Sequence, residues 1–316
     1  MKQMTLTGSP GFEKYSKATR RAAFFSEKDC VVPWSVLCEL IEPHYPKAGN
    51  GRPPIGLERM LRIHFLQHWF NFADPAVEEA LYDWLAMRTF VGIALGREPV
   101  PDESAICKFR HLLEKHHLGD QIVAIVNGQL RRCGMKVSTG TMVDAAIISA
   151  PSSTWNESGE RDPEMKQRRK GNEWHFGMKA HIGTESKAKL IHHVAVTSAN
   201  VNDSQVLGKL LHGNEERVYG DSTYSGQKAV TRQLAPAAKD FSQAKAGRYR
   251  ELTDTERDKT RVKSKVREKV EHAFHVMKRI FGFVKVCYRG LMKNGHRVLT
   301  LAALTNLYLA RRKLLA

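Results

Sequence analysis

Near residue 136 the chain changes its hydrophobic period, and this break limits the folds open to it more than any other feature. Upstream, apolar residues recur at helical spacing. Leu57, Met60 or Leu61, Phe65 and Trp69 fall on one face of the stretch from Leu57 to Phe70. Asp74 and Pro75 then offer a cap and a first turn, and Val77, Leu81 and Trp84 or Leu85 continue the pattern. Two more helices are expected, Glu103 to His116 and Gln121 to Cys133, the second stopped by Gly134. WSVLCELIEPHY reads as one short helix nearer the N-terminus. Downstream, Lys136 to Ala150 is β-branched and short-sided, as strands are. Trp174 to Gly183 and Leu190 to Thr197 have the spacing of a hairpin, with His175, Gly177, Lys179 and His181 expected on a solvated face. A helix from Ser204 to His212, a strand from Arg217 to Asp221, helices at Gln227 to Leu234 and Arg261 to Phe281, a short strand from Phe283 to Tyr288 and a helix from Arg297 to Leu315 complete the order. That order describes an α/β core, a mixed sheet flanked by helices, behind an all-helical N-terminal domain. The expected units are residues 1–135 and 136–316, the second with a basic segment at 238–262 and the terminal helix at 297–315.

A formal charge of +17 on 316 residues is far more than solubility needs, so the expected partner is a polyanion. No basic amphipathic terminus or lipidation signal argues for a membrane instead. The first residues lack the apolar run of a secretory signal, and Val298 to Ala310 is too short to span a bilayer, so a cytoplasmic protein is expected. The five cysteines, at 30, 38, 107, 133 and 287, have neither the pairing of a disulfide framework nor the spacing of a zinc site. The basic N-terminal helices permit a plain bundle as well as a helix-turn-helix-like DNA reader, and DNA binding by this domain is the expectation.

Three acids stand out. Asp144 lies inside the apolar run from Met142 to Ile148, where a charge is costly unless paired or bound to a cation. Asp221 ends a strand and opens into Ser-Thr-Tyr-Ser-Gly, which suits an active-site carboxylate at a strand end, or simply a turn. Glu271 sits at the rim of the apolar stripe Val266, Val270, Ala273, Met277 and Ile280, between Arg267 and Lys278. Taken alone, the helix carrying it reads equally well as salt-bridged and amphipathic. Residues 151–172 are polar and turn-rich, an expected exposed loop whose Arg168, Arg169 and Lys170 are available to phosphates. With the strand order above, Asp144 and Asp221 would meet on adjacent strands, and Glu271 would reach them from a helix packed on the sheet.

This arrangement resembles the ribonuclease-H-like core of the D-D-E transposases. Arg267, three residues, Glu271, six residues and Lys278 fit the Tyr-x2-Arg-x3-Glu-x6-Lys signature of insertion-sequence families four and five, with Ser264 at the tyrosine position. PDESAICKFRHLLE, DAAIISAPSST, RRKGNEWHFGMKAHIG, ANVNDSQ and YGDSTYSG also resemble blocks of family five, so the likeness runs from about residue 50 to the end.

The resemblance implies that Asp144, Asp221 and Glu271 are catalytic and bind two Mg²⁺ ions, for which Mn²⁺ can substitute. Such ions lie about 4 Å apart. It implies that Arg267 and Lys278 hold DNA phosphates, and that the 3′-hydroxyls freed at the element's ends attack target DNA. The expected partners are double-stranded DNA, as terminal inverted repeats and as target, and a second copy of the chain on paired ends; a nucleoid-associated location follows. A silent DNA-binding derivative and a ribonuclease-H-like nuclease without strand transfer are the alternatives. Metal-dependent nicking and joined products separate the three.

Overall fold

The structure is a computed structural model describing residues 17, 19–49, 53–135, 140–157, 159–243 and 253–315. Seven helices come first: α1 (Arg20–Val31), α2 (Trp34–Ile41), α3 (Leu57–Phe70), α4 (Asp74–Asp83), α5 (Leu85–Val91), α6 (Glu103–Lys115) and α7 (Leu118–Arg132). Sequence chemistry sets their ends. Asp102 caps α6, its carboxylate accepting the Ala105 N–H at 2.7 Å. After α7, Gly134 adopts φ +74°, its N–H reaching the Arg131 carbonyl while the Met135 N–H reaches that of Leu130. This pair of bonds closes the helix in a Schellman turn. Asp74 does not cap its helix. It lies inside α4 and accepts instead from Gln67 Nε2 at 2.7 Å and Arg110 Nη2 at 3.2 Å. Among the described residues of the first 50 there are two α-helices where one was expected, because α1 is held by the burial of Phe25 and Val31 rather than by its own periodicity.

The sheet contains β1 (Thr141–Ser149), β2 (Lys166–Lys170), β3 (Glu173–Glu185), β4 (Ile191–Ser198), β5 (Arg217–Tyr219) and β6 (Lys239–Asp240). β1 pairs antiparallel with β3 on one side and parallel with β5 on the other, and β6 lies parallel beyond β5. On the far edge of β3, β2 pairs with its first five residues and β4 with those that follow. This is the mixed, helix-flanked sheet of a ribonuclease-H-like core behind a helical N-terminal region. Between β4 and β5 a 3₁₀ turn at Asp203–Val206 leads into the short α8 (Leu207–Leu210), and α9 (Lys228–Leu234) joins β5 to β6.

Because side chains alternate across a strand, Met142, Asp144 and Ile148 share one face of β1 with Met178, Ala180 and Ile182 of β3. That face packs on the late helices: α10 (Asp254–Arg267), α11 (Glu271–His275) and α12 (Leu291–Leu314). Val143 and Val218 point to the other face, against Val206, Leu207, Leu210 and Tyr224. The first apolar cluster runs unbroken from Phe25 through the sheet to Ala310. α12 ties its parts together. Its buried Asn306 accepts the Ile191 N–H and donates to the Ile191 carbonyl and to Asn127 Oδ1, each at 2.7 Å, so α7, β4 and α12 meet on one side chain.

Four local expectations change. The polar stretch 151–172 contains β2, whose charged residues tolerate an edge position. Residues 283–288 form only a single bridge, Ser149 to Lys285, instead of a strand. Lys179 and His181, expected in solvent, are buried, because the turn at Asp203–Val206 and α8 cover that face; Trp174 on the opposite face is exposed. The helix from Arg261 to Phe281 is broken in character. α10 passes through a 3₁₀ turn at Glu268–Val270 into α11 and then a π-helical turn at Val276–Ile280. The π turn rotates the stripe, so Val270, Ala273 and Met277 are buried while Ile280 is exposed. Parts of the basic segment 238–262, residues 244–252, lie outside the described residues, as does the 136–139 start of the first strand. Among the described residues no helix is long and apolar enough to cross a membrane.

Candidate active site

Asp144 is the fourth residue of β1, on the face toward α11, with its side chain 21% exposed. Its Oδ1 accepts the Ala145 N–H at 2.9 Å, and its Oδ2 accepts from Arg267 Nη1 at 3.3 Å. Burial pushes its carboxyl up to about 6. The Ala145 N–H and the Arg267 guanidinium oppose that rise, and the negative charges of Asp221 and Glu271 add to it. The three acids therefore share one electrostatic environment. Asp221 follows β5 and caps a 3₁₀ turn, its Oδ1 accepting the Thr223 N–H at 2.9 Å and its Oδ2 the Thr223 hydroxyl at 3.2 Å. Glu271 opens α11 and is exposed.

Among the described residues no three His, Cys, Asp or Glu side chains stand close enough together to hold a metal ion. Asp221 and Glu271 act on Asp144 electrostatically without the three closing into a coordination sphere, and Arg267 engages Asp144. The donor set is still that of a hard divalent ion, since it consists of carboxylates alone. Asp144 is raised by burial first and then by its acidic neighbours, and a bound cation would offset both.

Family models match this chain in two places. One, described as a transposase DDE domain, covers residues 136–307, more than half the chain, and a second, described as a transposase domain, covers residues 13–112. The chain belongs to the insertion-sequence DDE transposases, of the type of families four and five. No solved structure matches it significantly. As a transposase its substrate is DNA, and the family depends on divalent metal.

The cations of the transposase expected at DNA fall into two groups. Arg267 and Lys278 lie at the acids. The Arg267 Nε is buried without a partner among the described residues, and the Lys278 ammonium donates to the Ile147 carbonyl at 2.7 Å. Burial lowers the Lys278 pKa, the charge of Lys170 lowers it further, and Asp144 opposes them. Lys170 at the tip of the β2–β3 hairpin is therefore within electrostatic reach of the site. Arg168 donates to the Asn200 carbonyl at 3.5 Å and Arg169 to that of Gly171 at 3.1 Å, both farther along the hairpin.

Two features of the site are not evident from the acid pattern. Tyr224 is 2% exposed, and its hydroxyl, buried without a partner among the described residues, lies in the field of Asp203, Asp144 and Asp221; burial first, and those acids next, push its pKa up. Its ring packs so near Gly220 that a Cβ there would come within 2.9 Å of it. The signal was present in YGDSTYSG, where Tyr224 follows Asp221 by three residues. The second is Ser264, whose hydroxyl accepts from Gln243 Nε2 at 2.7 Å. The Gln243 N–H in turn bonds the carbonyl of Gly220, the residue before Asp221.

Proposed function

We propose that Asp144, Asp221 and Glu271 are the catalytic, metal-binding carboxylates of this transposase. In this reading the enzyme cleaves the ends of its insertion sequence and joins the freed 3′-hydroxyls to target DNA. The observation that carries it is Asp144, a half-buried carboxyl on the central strand, raised to about 6 with Asp221 and Glu271 both acting on it. Acids held together against their mutual repulsion are costly to the fold and are kept where a cation is bound.

The three carboxylates would hold Mg²⁺, with Mn²⁺ as a substitute. When bound, such an ion supplies Lewis acidity to the attacking and leaving oxygens of a phosphodiester. The chain's own residues do the rest. Arg267 leaves Asp144 for a phosphate oxygen, giving its unpartnered Nε an acceptor, and Lys278 places a second positive charge on the same backbone. Lys170, Arg168 and Arg169 extend that contact along the hairpin. In the cleavage step the oxygen of water bonds to phosphorus, the bond to the 3′-oxygen breaks, and a 3′-hydroxyl and a 5′-phosphate result. In strand transfer a 3′-hydroxyl replaces water. Two copies of the chain would hold paired ends.

The test is purified transposase with DNA carrying the repeats that flank its gene. Mg²⁺ should yield cleaved 3′ ends and joined products, and Asp144→Asn should yield neither while still binding DNA. Cleavage by Asp144→Asn at the wild-type rate would remove Asp144 from the site, and DNA binding without cleavage by the wild type would favour a silent derivative.

A further inference from the structure

The exposed tryptophan of the β2–β3 hairpin is not used by this mechanism. Trp174 is 67% exposed on β3, and Trp155, in the loop after β1, is 96% exposed. A solvated indole forgoes some of the largest burial energy a side chain offers, and no ring or cation contact of Trp174 occurs among the described residues. Its neighbours are not apolar. Trp174 stands in register with Arg169 on β2, a strand that reads Lys-Gln-Arg-Arg-Lys, and paired residues of that kind hold their Cβ atoms about 5 Å apart. Arg169 shares the Trp174 face, while Lys166, Arg168 and Lys170 alternate to the other side of the same edge strand.

The ribbon is also placed toward the acids. Gly177 sits where β3 passes from β2 to β4, with φ +157°, and a Cβ there would lie 2.2 Å from the Ile148 carbonyl oxygen. Only glycine permits that close crossing. Beyond it the hairpin brings Lys170 within the field of Lys278, which is bonded to β1 three residues past Asp144.

We propose that the β2–β3 ribbon is a stacking platform for single-stranded DNA, with Trp174 taking the face of an unpaired base and Arg169 and its neighbours holding the phosphates. This rests on the transposase reading above and specifies the form of DNA the surface takes. Paired bases present only their edges, so an indole face has no partner on intact duplex, whereas every unpaired base offers a π-face. A second copy of the chain is the poorer occupant, because four cations on one five-residue strand of a +17 protein repel it.

The probe is a duplex with a four-nucleotide 3′ overhang containing 2-aminopurine, compared with the blunt duplex of the same sequence. The wild type should quench the overhang fluorophore. Trp174→Ala should lose most of that quenching and bind the overhang DNA about tenfold more weakly, within the range for one stacked base, while binding blunt duplex as before. Trp174→Phe should keep both, which separates stacking from misfolding. Unchanged quenching in Trp174→Ala, transfer of the loss to Trp155→Ala, or equal weakening on both DNAs overturns the platform. Self-association that buries Trp174 without DNA overturns it too. A wild type that binds neither DNA defeats the transposase reading itself, whereas one that binds duplex and ignores the overhang defeats only this inference.

Discussion

Two clusters of buried charge lie on opposite faces of the same sheet, and they are built in opposite ways. On one face Lys179, 3% exposed, donates from Nζ to Asp203 Oδ1 at 2.6 Å and to the Val201 carbonyl at 2.7 Å, and the fully buried His181 meets Thr197 through Nε2 at 2.9 Å. Nearly every group there has its counterpart. On the other face Asp144 has one weak ion pair and two like-charged neighbours. A closed cluster holds secondary structure in place; an open one of a single sign costs stability and is suited to taking up a ligand of the other sign. Breaking each cluster should therefore produce opposite kinds of damage.

The largest effect is expected from Asp144→Asn. It should reduce DNA cleavage by more than about 100-fold, which is as much as losing a residue that merely supports a metal ligand. It should also raise the melting temperature of the metal-free protein. The sign follows from the shift. The Asp144 pKa is higher folded than unfolded, so its ionisation costs stability progressively as pH rises from 3.8 to about 6 and in full above that, and the amide removes the cost. A melting temperature that falls would show that the acid is structural.

Lys179→Met should do the reverse. It leaves the half-buried Asp203 without its cation, for an expected loss of about 3 kcal/mol in urea unfolding, the low end for a buried pair because this carboxylate keeps some solvent. Any protein that remains folded should retain metal-dependent cleavage. Activity lost with stability intact would move Lys179 into the reaction.

How far this contrast was legible depends on which layer covers which strand. Asp144 could be picked out because a charge in the run Met142 to Ile148 is anomalous whatever lies above it. Lys179 and His181 could not. Their alternation with Phe176, Met178 and Ala180 is what a half-solvated strand shows, and only the chain's return at Asp203–Val206 and α8 buries them. The sheet order followed from the succession of strands, but β2 was hidden, since an edge strand can be almost entirely charged. The acids' helix was visible by its stripe; its π turn, set by packing rather than propensity, was not, and Ile280 went to the wrong side. The placement of Glu271 relative to the two aspartates is a matter of tertiary packing, beyond what periodicity fixes.

A third, smaller perturbation lies where the helical half meets α12. His64 is buried with its pKa lowered to about 3, by burial first and then by Arg297 and Arg110, and His68 beside it is lowered as well by the same causes and by His64. Asp74 and Glu114, paired with Arg110, are the acids facing this junction. A histidine whose folded pKa lies below its unfolded value contributes its full stability above about pH 6.5 and loses it as pH falls toward the folded value. Urea unfolding at pH 7.5 and 5.5 should show a loss of about 1 kcal/mol per histidine, reduced by roughly half in His64→Gln. A pH-independent midpoint would mean that these rings take up protons as readily in the folded state as in the unfolded chain.

The smallest effect tests whether the open cluster depends on the position where this chain departs from the family signature. Ser264 accepts from Gln243, and Gln243 bonds Gly220, so a short chain of hydrogen bonds runs from α10 to the residue before Asp221. Ser264→Ala removes one half-buried hydrogen bond, worth about 0.5–1.5 kcal/mol. If the chain of bonds positions Asp221, the cleavage rate should fall several-fold more than that stability loss explains, with DNA affinity unchanged. Ser264→Tyr, which restores the signature residue, separates positioning from DNA contact: it should tighten DNA binding if the hydroxyl's place is at the backbone, and slow cleavage if its bulk displaces Gln243. A variant with both properties of the wild type would leave Ser264 as a tether of α10 alone, and would assign the precision of the Asp221 turn to its own two bonds with Thr223.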